Sequence, residues 1–505
     1  MSCATWLAAR WRRTRVWLRL CQQPANRAGG GAGIGLALAL SVTSLGLDAS
    51  AAGAGREQRG GNDTSPAADT RPPELSRLAI RRARLDNGLR VVLNRDTSLP
   101  TVAICVSYAV GVRNEGPDQR GFAPLLERLM FQGSRNVAAD EHARWIREHG
   151  GQHSAQTSSD RTQFVDLLPS PALALGLWLE ADRMKSLELS LAASERQRGI
   201  LRAEAAPQNQ DPQALGEREL RALVFRDVPA YARDPLDVAR GLGADPQAAP
   251  GAAPGTPGQL QLLREFHRQF YAANNAVLTV AGNFEVLEAL NLIQIYFADA
   301  RSASLPPAPG GAPREQDEPR SATLEGEHAA GSSLWQGWAI PAKRTPDHDA
   351  LELTAVILGT GVTSRLYQAL VADKALVRAV TVWTDDHRGP DLFGVQATLL
   401  EGTDPELVSR LILGQIASLG RFGPTSLELS RAQNQLRSRL LAGLDGNRAR
   451  AITLADAELF THDARLLDTD FEQYRQISRE DVQRAVARYL RNAGRNSVLV
   501  RPRSP

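Results

Sequence analysis

Gly121-Phe122-Ala123-Pro124-Leu125-Leu126-Glu127-Arg128-Leu129-Met130-Phe131-Gln132-Gly133-Ser134 is the stretch on which the reading of this chain turns. Apolar residues surround a single Glu-Arg pair, which predicts a short amphipathic helix bounded by glycines. Many ordinary helices share that pattern, so the flanks decide. Upstream, Leu85 to Leu93 reads as a strand, an Asn87-Gly88 tight turn and a second strand, and an apolar run follows from Thr101 to Val112. Downstream, Gly150-Gly151 opens a strand-like segment from Ser154 to Phe164, and a helix carries Leu179-Glu180-Ala181-Asp182-Arg183-Met184.

Taken together, these segments resemble the pitrilysin/insulinase metallopeptidases. Their inverted zinc motif H-x-x-E-H sits in a frame close to G-x-A-H-x-x-E-H-M-x-F-x-G-[ST]. In that motif two imidazoles at i and i+4 share one helical face and grip the metal, while the glutamate polarises the attacking water. Here Pro124 and Arg128 occupy the histidine positions, and Glu127 alone keeps its place. Proline has no donor atom and arginine is a permanent cation, so neither ligates Zn²⁺.

The resemblance extends over residues 77 to 502. Ser154 to Phe164 is similar to the family's N-A-x-T-x-x-D-x-T-x-Y edge strand, Leu179 to Met184 to its L-E-A-D-R-M helix, and Tyr271 to Phe284 to its Y-x-P-N-N-A-x-L-x-V-A-G-D-F strand. Glu195 to Glu204 fits a segment E-R-x-x-x-V-x-x-x-E, which places Glu204 at the third zinc ligand. Ser364 to Leu370 resembles a second-half helix, S-R-L-[FY]-x-x-L, that normally continues R-E-K-x-x-L-[AG]-Y. In the family, that Arg and Tyr steady the substrate carbonyl and the oxyanion. This chain has Val371 and Arg378 there instead.

The resemblance implies an α+β fold of two homologous α/β domains, each a largely antiparallel sheet covered by helices, facing each other across a cavity. It places the domains at 77–300 and 323–505, joined by a linker at 301–322. It also implies that Ser154, Ala155 and Thr157 lie on an edge strand able to accept an extended peptide by strand addition. Zinc is the family's cofactor, yet with both histidines and the Arg/Tyr pair replaced none is expected here. The favoured function is a non-catalytic half-shell that binds peptide or serves a zinc-bearing homologue as partner subunit; a homodimer is the other assembly. The alternatives are an active zinc endopeptidase with atypical ligands and a stand-alone peptide- or protein-binding envelope protein. A further expectation is that Arg128 pairs with Glu127 or Glu204 in the interior of the first domain, where its charge would stand in for the metal's.

Composition agrees with a sizeable folded protein. The 505 residues carry a formal net charge of +3, and the basic residues are mixed with acids along amphipathic helices, which argues against a nucleic-acid partner. Gly359-Thr360-Gly361 lacks the lysine and spacing of a phosphate loop. The first 47 residues hold no acid, carry an arginine cluster at Trp11 to Arg19 and lead through an apolar run at Ile34 to Leu47 to Ala49-Ser50-Ala51. This reads as a targeting segment over residues 1–51 for export to the periplasm or cell envelope, with a mitochondrial presequence as the alternative. Residues 52–76 read as a polar, disordered leader, and Ala244 to Gln259 as a Pro/Ala/Gly-rich insertion. Cys105, on an apolar strand, reads as a buried thiol. His149 and His153 have i, i+4 spacing, but Gly150-Gly151 between them opposes a helix presenting both rings. His267, His348 and His462 are scattered, and no second metal site is expected from their spacing.

Overall fold

The structure, a computed structural model, describes residues 78–208, 211–233, 255–307, 311, 313–326, 329 and 331–503. The targeting segment, the leader and residues 244–254 of the insertion lie outside the described residues.

The first half forms a six-stranded sheet from β1 (Ile80–Arg84), β2 (Arg90–Arg95), β3 (Thr101–Tyr108), β4 (Gln152–Thr157), β5 (Thr162–Pro169) and β6 (Ala276–Gly282), ordered β1-β2-β6-β3-β5-β4. The Asn87-Gly88 turn joins β1 to β2. Gly88 has φ +87, and an added Cβ would come within 2.7 Å of the Asn274 Cβ, so both the turn and the close approach require glycine there. The second half forms a five-stranded sheet from β7 (Arg320–Gly326), β8 (Ser333–Ile340), β9 (Val377–Thr384), β10 (Asp391–Leu399) and β11 (Asn496–Pro502), ordered β7-β11-β8-β10-β9. β7 opens at Arg320, inside the stretch read from sequence as linker.

With β1 set aside, β2 to β6 and β7 to β11 repeat one plan. In each sheet the first and last strands of the set run parallel, as β2 with β6 and β7 with β11, and every other pairing is antiparallel. The halves are therefore homologous in topology as well as in motif.

The helices of the first half are α1 (Phe122–Leu129), α2 (Glu141–Glu148), α3 (Leu173–Ser186), α4 (Leu191–Gln208), α5 (Pro212–Val224), α6 (Pro257–Phe270) and α7 (Val286–Phe297). Those of the second are α8 (Pro346–Gly359), α9 (Pro405–Phe422), α10 (Ser426–Ala442), α11 (Gly446–Thr461), α12 (Leu467–Gln476) and α13 (Arg479–Tyr489). Alternation along β3 sends Val102, Ile104 and Val106 into a core with Leu125, Leu126 and Leu129 of α1. In the second half Trp338 and Phe393 pack with Leu351 and Leu358 of α8.

Each half also lends one helix to the other. Leu220 and Val224 of α5 bury against Trp335, Val498 and Val500 of the second sheet. Gly216 lets this helix lie flat there, since a Cβ would sit 2.2 Å from the Trp335 indole nitrogen. In return Ala451 and Ala455 of α11 cover Ala103, Cys105 and Ala281 of the first sheet. Small residues on both surfaces permit that approach, and burial pushes the Cys105 thiol up to about 12. A buried polar node adds to the join: Arg113 pairs with Asp160 at 2.5 Å, Tyr231 bonds both, and Asp160 also accepts from the Arg388 backbone N–H of the second half at 2.9 Å.

Candidate functional site

Helix α1 begins where a distant carboxylate satisfies it. Glu115 accepts from the backbone N–H of Gly121 at 2.8 Å and of Ala123 at 2.9 Å, two first-turn donors that no helical carbonyl can reach. Burial pushes the Glu115 carboxyl up to about 7 against those two bonds. Pro124 is the third helical residue and is buried. Its missing N–H costs nothing there, because first-turn donors have no intrahelical partner. The backbone thus tolerates proline at a position where the family carries a ligand.

Pro124 and Arg128, four residues apart, share one face of α1. Helix α4 packs alongside, and Glu204 on it meets Arg128, with Nη2 to Oε2 at 2.5 Å. Glu127 lies next to β4. Burial raises its carboxyl above the ordinary range, while hydrogen bonds from the Thr157 hydroxyl and N–H and the nearby Arg128 charge act the other way. The fold therefore gathers Pro124, Glu127, Arg128, Glu204 and Thr157 from one helix, a second helix and an edge strand.

The Arg128–Glu204 pair forms, but not in the interior. The two side chains are 41% and 49% exposed. Such a pair contributes about 0–1 kcal/mol, well short of the several kcal/mol at stake in a buried one.

Zinc does not fit these residues. Pro124 contributes no donor, and the Arg128 guanidinium binds the one remaining ligand carboxylate, Glu204. Among the described residues no group of three ligating side chains forms around Glu127 and Glu204.

Strand β4, with Ser154, Ala155 and Thr157, is the terminal strand of the first sheet and pairs with β5 alone. Ser154 is already engaged, since its hydroxyl accepts from Arg448 of the borrowed helix α11 at 2.7 Å. Val371 falls in a π-helical turn, Tyr367–Ala372, and packs against the second core. Arg378 is exposed on β9 and makes no hydrogen bond or ion pair among the described residues. His149 ends α2 and bonds the Trp145 carbonyl, whereas His153 sits on β4 against Phe131; the two form no joint site.

Two contributors escaped the sequence reading. Glu115 is a cap acting from six positions upstream of Gly121, and no local motif marks it. Arg448 reaches Ser154 from 294 residues away, a contact that only the helix exchange creates.

A two-sheet α/β fold with internal repeat, an inverted-zincin helix and a glutamate on the following helix pair define a metallopeptidase-like protein. The chain belongs to the insulinase family. The family model "Insulinase (Peptidase family M16)" matches residues 90–232 and "Peptidase M16 inactive domain" matches 259–436, together more than half of the chain. A protein of Mycobacterium tuberculosis described as an uncharacterized zinc protease is 28% identical over 416 residues, which is 82% of this chain and 91% of the relative. Zinc protease PqqE of Helicobacter pylori is 25% identical over 426 residues, covering 83% and 92%. The crystal structure of a protease from Helicobacter pylori superimposes with a TM-score of 0.74 at 21% identity, over 85% of this chain and all of the other.

Proposed function

We propose that this protein is a non-catalytic member of the insulinase family, a peptide-binding half-shell that works as partner subunit to a zinc-bearing homologue. The observation that carries this reading is the Arg128–Glu204 ion pair, in which a cation takes the one carboxylate that zinc would need. The second-half changes support it, because Val371 and the exposed Arg378 offer no hydroxyl or clamp for an oxyanion. The open side of β4 supports a retained peptide-binding role, since extended chains add to free sheet edges through main-chain hydrogen bonds. The arginine-rich, acid-free N-terminal segment supports export to the periplasm or cell envelope. Mixing the purified chain with a zinc-bearing homologue and following peptide hydrolysis tests the assignment. A stable complex whose activity depends on the homologue's zinc motif is the expected result; no association with the homologue and no peptide binding would overturn it.

A further inference from the structure

Three groups of His, Asp and Glu side chains bring one ligand atom each to within 4.8 Å of one another among the described residues: His142/Asp166/Glu180, Asp385/His387/Asp391 and His348/Asp349/Glu352. The first two already contain a cation. Arg183 bonds Glu180, and Arg221 bonds Asp385 at 2.6 Å, so those carboxylates are neutralised by the protein itself. The third differs. Neither Asp349 nor Glu352 pairs with an arginine or lysine among the described residues, and the partner of Glu352 is the neutral hydroxyl of Tyr474 at 2.6 Å.

A second observation points into that group. His348 is fully buried. Its Nε2 meets Asp391 Oδ2 at 2.9 Å, but its Nδ1 is buried without a hydrogen-bond partner. The nearest acid, Asp349 Oδ1, lies 3.9 Å from Nδ1, too far for a hydrogen bond. Asp391 is itself held in place, by His387 Nδ1 at 3.3 Å and by the Leu392 backbone N–H at 2.8 Å. With Nε2–H donating to Asp391, Nδ1 is left facing Asp349 and Glu352. That is the orientation in which a carboxylate fixes the tautomer of a metal-bound imidazole. Against the effect of burial, the surrounding acids hold the imidazolium up to about 9, so an ion at Nδ1 binds by displacing a proton.

We propose that His348 Nδ1, Asp349 and Glu352 form a divalent-metal site of zinc type on α8. His348 and Glu352 are four residues apart and share a helical face, the spacing that lets two side chains grip one ion. One imidazole and two carboxylates suit zinc, with a solvent molecule completing four-coordination through the half-buried Glu352 side. Zinc–ligand bonds of about 2.0–2.2 Å need donors slightly closer than 3.9 Å, an adjustment within reach of a carboxylate rotation. Helix α8 follows β8 as α1 follows β3, so the site lies in the second half on the counterpart of the degenerate motif helix.

The test uses the full chain, stripped with chelator and titrated with Zn²⁺ by calorimetry, with elemental analysis after gel filtration. One zinc per chain is expected, with affinity falling by about 100-fold or more in Asp349→Asn/Glu352→Gln, beyond the roughly 10- to 100-fold that loss of an outer-shell partner costs. Glu204→Gln should bind as the wild type does. If the double variant does not fold, Glu352→Gln alone carries the test, because the amide oxygen still accepts from Tyr474 and the position is half-buried. No binding by the wild type up to about 0.1 mM zinc overturns the proposal and leaves a proton as the charge on Nδ1. So does unchanged affinity in the variants, and loss of binding in Glu204→Gln would place the ion in the first half instead.

Discussion

The two halves share a strand plan and differ in where they keep their charges. In the first half, the motif helix α1 carries Arg128 and its carboxylate partner Glu204 at a half-exposed surface. In the second, the matching helix α8 buries His348 between Asp391 and Asp349, with no guanidinium on either Asp349 or Glu352 among the described residues. The join between the halves resembles the second in depth but has a guanidinium as its cation, since Arg113 and Asp160 there are almost wholly buried. The same kind of ion pair thus carries different weight according to its depth.

The largest effect is expected at the join. Arg113→Met removes the cation paired with the buried Asp160 carboxylate, which keeps hydrogen bonds from Tyr231 and the Arg388 N–H, and should cost about 3–5 kcal/mol in urea unfolding. A loss below about 1 kcal/mol would show that the halves do not depend on this node.

A smaller effect is expected from pH within the first half. Burial and the Arg301 charge lower His267 to about 4 in the first half, and its ring stacks on Tyr271. A histidine with its folded pKa below the unfolded 6.5 contributes stability that is present above 6.5 and is lost as pH falls toward 4. Glu115 and Glu180, raised to about 7 by burial, act in the opposite sense and lose their contribution as pH rises from 4.5 to 7. The readout is therefore the difference between wild type and His267→Phe. The variant should lose less stability than the wild type between pH 6.5 and 4, and parallel curves would contradict the assignment.

The smallest effect belongs to the motif itself. Arg128→Met should change stability by about 1 kcal/mol or less, as expected for a half-exposed pair. A loss of several kcal/mol would mean that the pair is shielded from solvent in the working protein.

Much of this was legible in the sequence because it is local. Asn87-Gly88, the Leu179 to Met184 helix and the 121–134 stretch each announce an element through neighbouring residues, and the repeat of motifs foretold the repeat of sheets. That Pro124 and Arg128 offer zinc no donor was equally plain, since it needs only residue identity. The helix exchange was not legible, because alanines on α11 and on β3 and β6 carry no signal that they belong together across 170 residues or more. The depth of the Arg128–Glu204 pair failed for the same reason: sequence gives the partners but not their exposure. His348 and Glu352 do show i, i+4 spacing, but a search for paired histidines passes over a histidine–glutamate pair, and Asp391 lies 43 residues away on another element.

The proposed function requires that both halves have lost their part of the chemistry. Peptide hydrolysis by the zinc-loaded wild type, run beside Pro124→His/Arg128→His, tests it most directly. Restoring two imidazoles gives Glu204 a full ligand set, so the variant should gain a zinc at α1. Without the Arg/Tyr pair, whose donors are worth about 10²-fold or more each, its turnover should stay near background, and the wild type should show none. Hydrolysis by the wild type that Glu127→Gln abolishes would contradict the account.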